Sequence, residues 1–180
     1  MAKRVDLTKA ELFVCRMLGV MRRSAAMHKV IDQQMGEQDT WAIDIDGMVG
    51  EICVAKHLNL CPDLTVGIRK GGSDLITHQG KSIDVKTTRH KNGKLLATLK
   101  KIESQSDRYV LVIVDDHGGQ ISGWASKEQL FQEQNKTDLG YGVGYALNQD
   151  QLNKFALPNP EEQCTNIALQ HCTQTLHTNI

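Results

Sequence analysis

Gly72-Ser73-Asp74-Leu75-Ile76-Thr77-His78-Gln79-Gly80-Lys81-Ser82-Ile83-Asp84-Val85-Lys86-Thr87-Thr88 is the stretch whose reading decides the fold. Residues 74–77 and 81–88 read as paired strands around His78-Gln79-Gly80. A three-residue loop with Gly80 in the left-handed position is a common hairpin geometry. It sets Thr77 opposite Lys81, Ile76 opposite Ser82, Leu75 opposite Ile83 and Asp74 opposite Asp84. Side chains alternate along a strand, so Asp84 and Lys86 share one side while Ile83 and Val85 point into the core. Two carboxylates facing each other across a strand pair repel and weaken the sheet. A cation between them removes that cost, and Mg²⁺ favours hard oxygen ligands, typically one or two carboxylates with phosphate and water.

Upstream, Thr8-Lys9-Ala10-Glu11 predicts a capping box opening a helix, with Leu12, Cys15 and Leu18 or Gly19 on its buried side. A second helix through Met27, Val30 and Ile31 is expected next. Asp46 is expected to cap a further helix that carries Val49, Ile52, Cys53 and Leu58 inward. Gly47 and Gly50 share one of its faces, allowing close approach to a sheet. Glu51 on this helix can complete a metal shell directly or through water. From residue 64 the period becomes two, with Leu64, Val66 and Ile68 alternating before Gly71-Gly72 break the run.

Downstream, residues 95–99 predict a short strand and 109–114 a fully buried central one. Gly118-Gly119 is read as the turn into residues 120–124. Ser126 caps a short helix to about Phe131, residues 141–147 form a last edge strand, and a helical turn reaches Phe155. Helices, then strands, then helix describe an α/β (α+β) domain.

The motifs Gly47-Met48-Val49-Gly50-Glu51, Gly72-Ser73-Asp74 and Ile83-Asp84-Val85-Lys86-Thr87-Thr88 resemble, in order and spacing, those of the PD-(D/E)XK nuclease superfamily. The resemblance covers residues 44–155, with Ser73 where the family name has proline. It implies a restriction-endonuclease-like central mixed β-sheet flanked by helices, with catalytic residues Glu51, Asp74, Asp84 and Lys86. Glu51, Asp74, Asp84 and the Val85 backbone carbonyl are the implied metal ligands for Mg²⁺, with Mn²⁺ able to substitute. Residues 109–124 resemble the strand pair that follows the active-site hairpin.

Charge supports this reading. The chain has no net charge, yet residues 81–101 hold seven basic residues against one acid, a net +6. Such a segment beside an acidic pair is the field expected near a polyanion, whereas taken alone it reads rather as a solvated charged hairpin. Arg89, His90, Lys91, Lys94, Lys100 and Lys101 are therefore the candidate nucleic-acid contacts, of the backbone type that positions without reading sequence. Lys86 is placed to orient water and offset charge developing on a phosphate.

The expected activity is Mg²⁺-dependent hydrolysis of nucleic-acid phosphodiesters, with DNA the favoured substrate and a phage or mobile-element endonuclease the fold-level analogy. A single domain over residues 1–156 with a helical extension at 157–180 is expected. No run is long enough to span a bilayer and Met1-Ala2-Lys3-Arg4 opens no secretory signal, so the expectation is a cytoplasmic protein without a membrane partner. The five cysteines form no C-x-x-C pair and read as reduced. In the extension, Cys164, Ile167, Ala168, His171, Cys172 and Leu176 recur at helical spacing. That favours an apolar stripe over a zinc site from Cys164, His171, Cys172 and His177, whose spacing fits no recognised pattern. Two rival readings are an inactive nucleic-acid-binding or assembly protein on the same scaffold, and an interaction protein forming homo-oligomers through the C-terminal helix.

Overall fold

The computed structural model describes residues 2–26, 39–66, 73–99, 102, 106–140 and 142–155. Strand β1 (Lys3–Asp6) is followed by helices α1 (Lys9–Ala26) and α2 (Thr40–Leu58). Then come β2 (Leu75–Ile76), β3 (Ser82–Thr88), β4 (Leu95–Thr98), β5 (Arg108–Asp115) and β6 (Gly118–Ser126). A short helix α3 (Lys127–Leu130) leads to β7 (Lys136–Asp138) and β8 (Val143–Leu147). The fold is thus mixed α/β. Its main sheet has the order β1-β6-β5-β3-β2, and a smaller sheet the order β4-β8-β7. Among the described strands β3 and β5 run parallel and the other pairs are antiparallel.

The sheet separates two cores. On one side Cys15 of α1 and Met48, Ile52 and Cys53 of α2 pack on Ile83, Val85, Val110, Val112 and Ile121. On the other, Tyr109, Leu111 and Ala125 meet Leu95, Leu130, Tyr145 and Leu147 from the small sheet and α3. Residues 109–112 of β5 are therefore apolar without alternation because both faces are covered. The central position expected for this strand holds.

The capping box is present: Glu11 N donates to Thr8 Oγ1 at 3.2 Å and Thr8 N to Glu11 Oε2 at 2.6 Å. Cys15 and Gly19 are buried as expected, and Leu12 and Leu18 pack partly against the core. Gly19 lets the helices touch, since a Cβ there would lie 2.8 Å from the Ile45 backbone. Ser126 caps α3, accepting from Gln129 N at 3.2 Å.

Several expectations are corrected. The α2 helix starts six residues before Asp46; Asp39 is its N-cap, accepting from Trp41 N at 3.0 Å, and Asp46 lies inside the helix. Gly50 does meet the sheet, where a Cβ would lie 2.3 Å from Thr87 Cγ2, but Gly47 faces open space. Residues 61–66 form no strand. Gly118 and Gly119 belong to β6, and the turn before it is made by Asp116 and His117. The last strand, β8, is the centre of the small sheet and not an edge, because β4 and β7 flank it. The second helix expected through Met27 and Ile31, the residues Ile68 and Tyr141, and the whole 157–180 extension lie outside the described residues. No helix among those described is long and apolar enough to cross a membrane.

Candidate active site

The hairpin forms in the expected register, with Leu75 opposite Ile83 and Ile76 opposite Ser82. Thr77 N donates to Lys81 O at 2.8 Å, and Gly80 takes φ +76°, the left-handed conformation that glycine adopts without strain. The ladder stops before Asp74. Its amide donates to Ile83 O at 2.8 Å, and its carboxylate accepts the Val85 N–H at 2.7 Å. Asp74 thus bridges the two strands through its side chain.

Asp84 is the next residue of β3 after Ile83 and is 1% exposed. It lies beside Tyr109 in the parallel pairing, on the face covered by the small sheet. Lys86, two residues on, is partly exposed and its ammonium pairs with the Asp84 carboxylate. Glu51 comes from the buried centre of α2 and is 6% exposed. Glu51, Asp84 and Lys86 all act on the Asp74 carboxyl. Desolvation raises the Asp74 carboxyl to about 6, the charges of Glu51 and then Asp84 push in the same direction, and the Val85 N–H and Lys86 pull it back. Charged neighbours shift a carboxyl in this way only at close range.

The partner of Glu51 is a residue that none of the motifs contains. Arg22 of α1 grips both its oxygens, at 3.1 and 2.9 Å, and donates also to Asp63 O at 2.6 Å and Thr65 O at 3.3 Å. The sequence holds one signal for it: Arg22 follows Cys15 and Gly19 at helical spacing, so it continues the buried stripe.

A hard divalent ion suits this chemistry in part. Asp74 and Asp84 supply the one or two carboxylates that Mg²⁺ commonly takes, in a place where like charges already oppose each other. Among the described residues, however, no three His, Cys, Asp or Glu side chains form a metal-holding group.

Of the candidate nucleic-acid contacts, Arg89, His90, Lys91 and Lys94 are exposed beyond the end of β3. Arg89 is held by Asp46, at 2.7 and 2.8 Å, and by Asp116 at 3.0 Å. Lys100 and Lys101 lie outside the described residues, as do Cys164, His171, Cys172 and His177. An open cleft of about 340 Å³ lies between the first turns of α2, at Asp39, Ala42 and Asp46, and Thr87, Thr88 and Arg89. None of the four candidate catalytic residues lines it. No protein-family model matches the chain, and no curated protein or solved structure matches it.

Proposed function

We propose that the chain is a Mg²⁺-dependent nuclease that hydrolyses DNA phosphodiesters on a restriction-endonuclease-like core, with Glu51, Asp74, Asp84 and Lys86 as its active centre. The observation that carries this reading is the gathering of Glu51 from α2 and Asp84 and Lys86 from β3 around Asp74, whose carboxylate accepts the Val85 N–H at 2.7 Å just before β2. A carboxyl perturbed by desolvation together with specific charge partners marks a candidate functional site.

Asp74 and Asp84 would hold the ion, with the Val85 carbonyl as a further oxygen. When bound, the ion would supply Lewis-acid polarisation of the phosphate and a water of lowered pKa. Lys86 places its ammonium beside Asp84, where it offsets the charge that develops on the phosphate oxygens as water attacks. Arg22 and the α2 packing hold Glu51 in place. The exposed His90, Lys91 and Lys94 would meet the sugar–phosphate backbone.

The test is cleavage of supercoiled plasmid, linear duplex and single-stranded DNA, and RNA, in Mg²⁺ and in Mn²⁺. Wild-type protein should cut at least one DNA form, and Asp84→Asn should abolish cutting while remaining folded. Failure of the wild type on every substrate would sink the enzyme reading. Retained nucleic-acid binding would then favour the inactive scaffold, which the internal pairing of Glu51 with Arg22 and Asp84 with Lys86 also suits.

A further inference from the structure

Arg89 is expected from the sequence to contact the phosphate backbone, yet in the fold its donor edges face carboxylates. Nε and Nη2 donate to the two oxygens of Asp46 at 2.7 and 2.8 Å, and Nη1 donates to Asp116 at 3.0 Å. A phosphate approaching those edges would meet the two acids. The guanidinium is thereby fixed in its plane while its side chain stays 53% exposed. What such a group offers a partner is its flat face, on which nucleobases stack. We infer that the cleft beside Arg89 is a subsite for one unpaired base stacked on this guanidinium, which makes single-stranded or locally opened nucleic acid the substrate class. This rests on the nuclease reading above and adds the form of its substrate.

Position is the first support. The cleft lies between the first turns of α2 and the end of β3, where Thr87 and Thr88 follow Lys86 directly. Thr88 stands roughly 7 Å beyond Lys86 along the strand. That is one or two nucleotides away, at about 3.4 Å or more for each. A strand with a phosphate at Lys86 therefore carries a neighbouring base to the mouth of the cleft.

Size and lining are the second support. A volume of about 340 Å³ stands at the small end of ligand clefts, which suits a single base and not a paired duplex. Ala42 and Ile43 give it an apolar wall, and Thr87 and Thr88 give it hydroxyls. That mixture matches a flat ring with polar edges. Asp39 and Asp46 line the same cleft and repel an entering phosphate. Duplex DNA would have to release a base from its stack, at a cost that is smallest for a base already unpaired.

The experiment measures binding of the full chain, in Ca²⁺, to three labelled DNA probes of equal length: a single strand, a blunt duplex and a single strand of abasic sugars. Wild type should bind the first more tightly than the other two, by about fivefold or more. Arg89→Ala should weaken single-strand binding by about five- to a hundredfold, the range for losing one stacked base, and leave abasic binding within about twofold. Its salt dependence should match wild type, because no phosphate contact is lost. Arg89→Lys, which keeps the charge and loses the plane, should behave like Arg89→Ala. Ala42→Leu, which fills the cleft and leaves Arg89 in place, should lose the same preference, and it decides the matter if Arg89→Ala does not fold. A salt slope shallower by about one in Arg89→Ala, an equal loss on the abasic strand, or wild-type binding by Ala42→Leu would overturn the inference. Cleavage in Mg²⁺ separates this inference from the reading beneath it. Cutting with no preference for unpaired bases would overturn the subsite and leave the nuclease standing, whereas base-dependent binding without cutting of any substrate would support the subsite and overturn the nuclease. No binding of any probe by wild type would overturn both.

Discussion

Asp74 carries a carboxyl raised to about 6 from an ordinary 3.8, by desolvation first and then by Glu51 and Asp84. The folded chain therefore holds this proton more tightly than the unfolded chain does. Below about pH 4 both states are protonated and nothing is lost. As pH rises towards 6 the unfolded state ionises first, so metal-free stability falls through that window and the loss is complete above it. Asp74→Asn should remove this loss and stabilise the metal-free protein at pH 7 by no more than ~3 kcal/mol, while its amide oxygen still accepts from Val85. Denaturant melts from pH 4 to 8 would show the difference shrinking towards acid; a variant less stable than wild type at pH 7 would count against the repulsion. Lys86 is different. The alternation of Asp84 and Lys86 suggests an exposed ion pair, worth about 0–1 kcal/mol. The small sheet instead buries Asp84, so Lys86→Ala strands a buried charge and should cost roughly 1–3 kcal/mol. Single-turnover cleavage should also fall by at least about a hundredfold. A rate within a few-fold of wild type would reduce Lys86 to a counter-ion for Asp84.

At the level of elements, local chemistry is legible in the sequence and distant pairing is not. The hairpin can be read because Gly80 fixes its loop and the loop fixes the register. The same holds for the capping box at Thr8 and the cap at Ser126, which act within three residues. The start of α2 misleads because Asp46 is a good capping residue that Arg89, distant in sequence, uses as an ion-pair partner inside the helix. The small sheet is hidden because β7 is three exposed polar residues and exists only through its pairing with β8. Arg22 is hidden because its role lies in hydrogen bonds to residues 51, 63 and 65. A further element-level prediction concerns the α1–α2 contact. Gly19→Ala would drive a methyl against the Ile45 backbone, which cannot rotate away, and should cost about 1–3 kcal/mol. Phe13→Ser on the opposite, exposed side of α1 should change stability by about 0.5 kcal/mol or less, since Phe13 is 62% exposed. Equal effects at the two positions in thermal melts would contradict the packing described.

Across the whole molecule, charge and connectivity set what the chain can do. The basic segment leaves the sheet at the end of β3, with Arg89 tied back to α2 and the 115–117 turn and Lys91 and Lys94 exposed beyond it. Replacing Lys91 and Lys94 together by Ala should weaken DNA binding alike for all sequences. The dependence of log affinity on log salt should become shallower by about 2, near one for each lysine that no longer neutralises a phosphate. An unchanged slope would make this segment a solvated surface only. Connectivity has a separate consequence, which concerns the order of assembly. In the sheet, β1 pairs with β6, Lys3 facing Ile121, so its partner is synthesised more than a hundred residues later. The pieces of the acidic centre are close in sequence by comparison: α1 with α2, and β2 with β3. Closing a long loop is entropically dearer than closing a short one, so the nearby pieces can meet before the outer strand docks. On a growing chain the helix pair and the hairpin would be in place while the amino-terminal strand still waited for its partner, and its docking would be a late, separable event in folding.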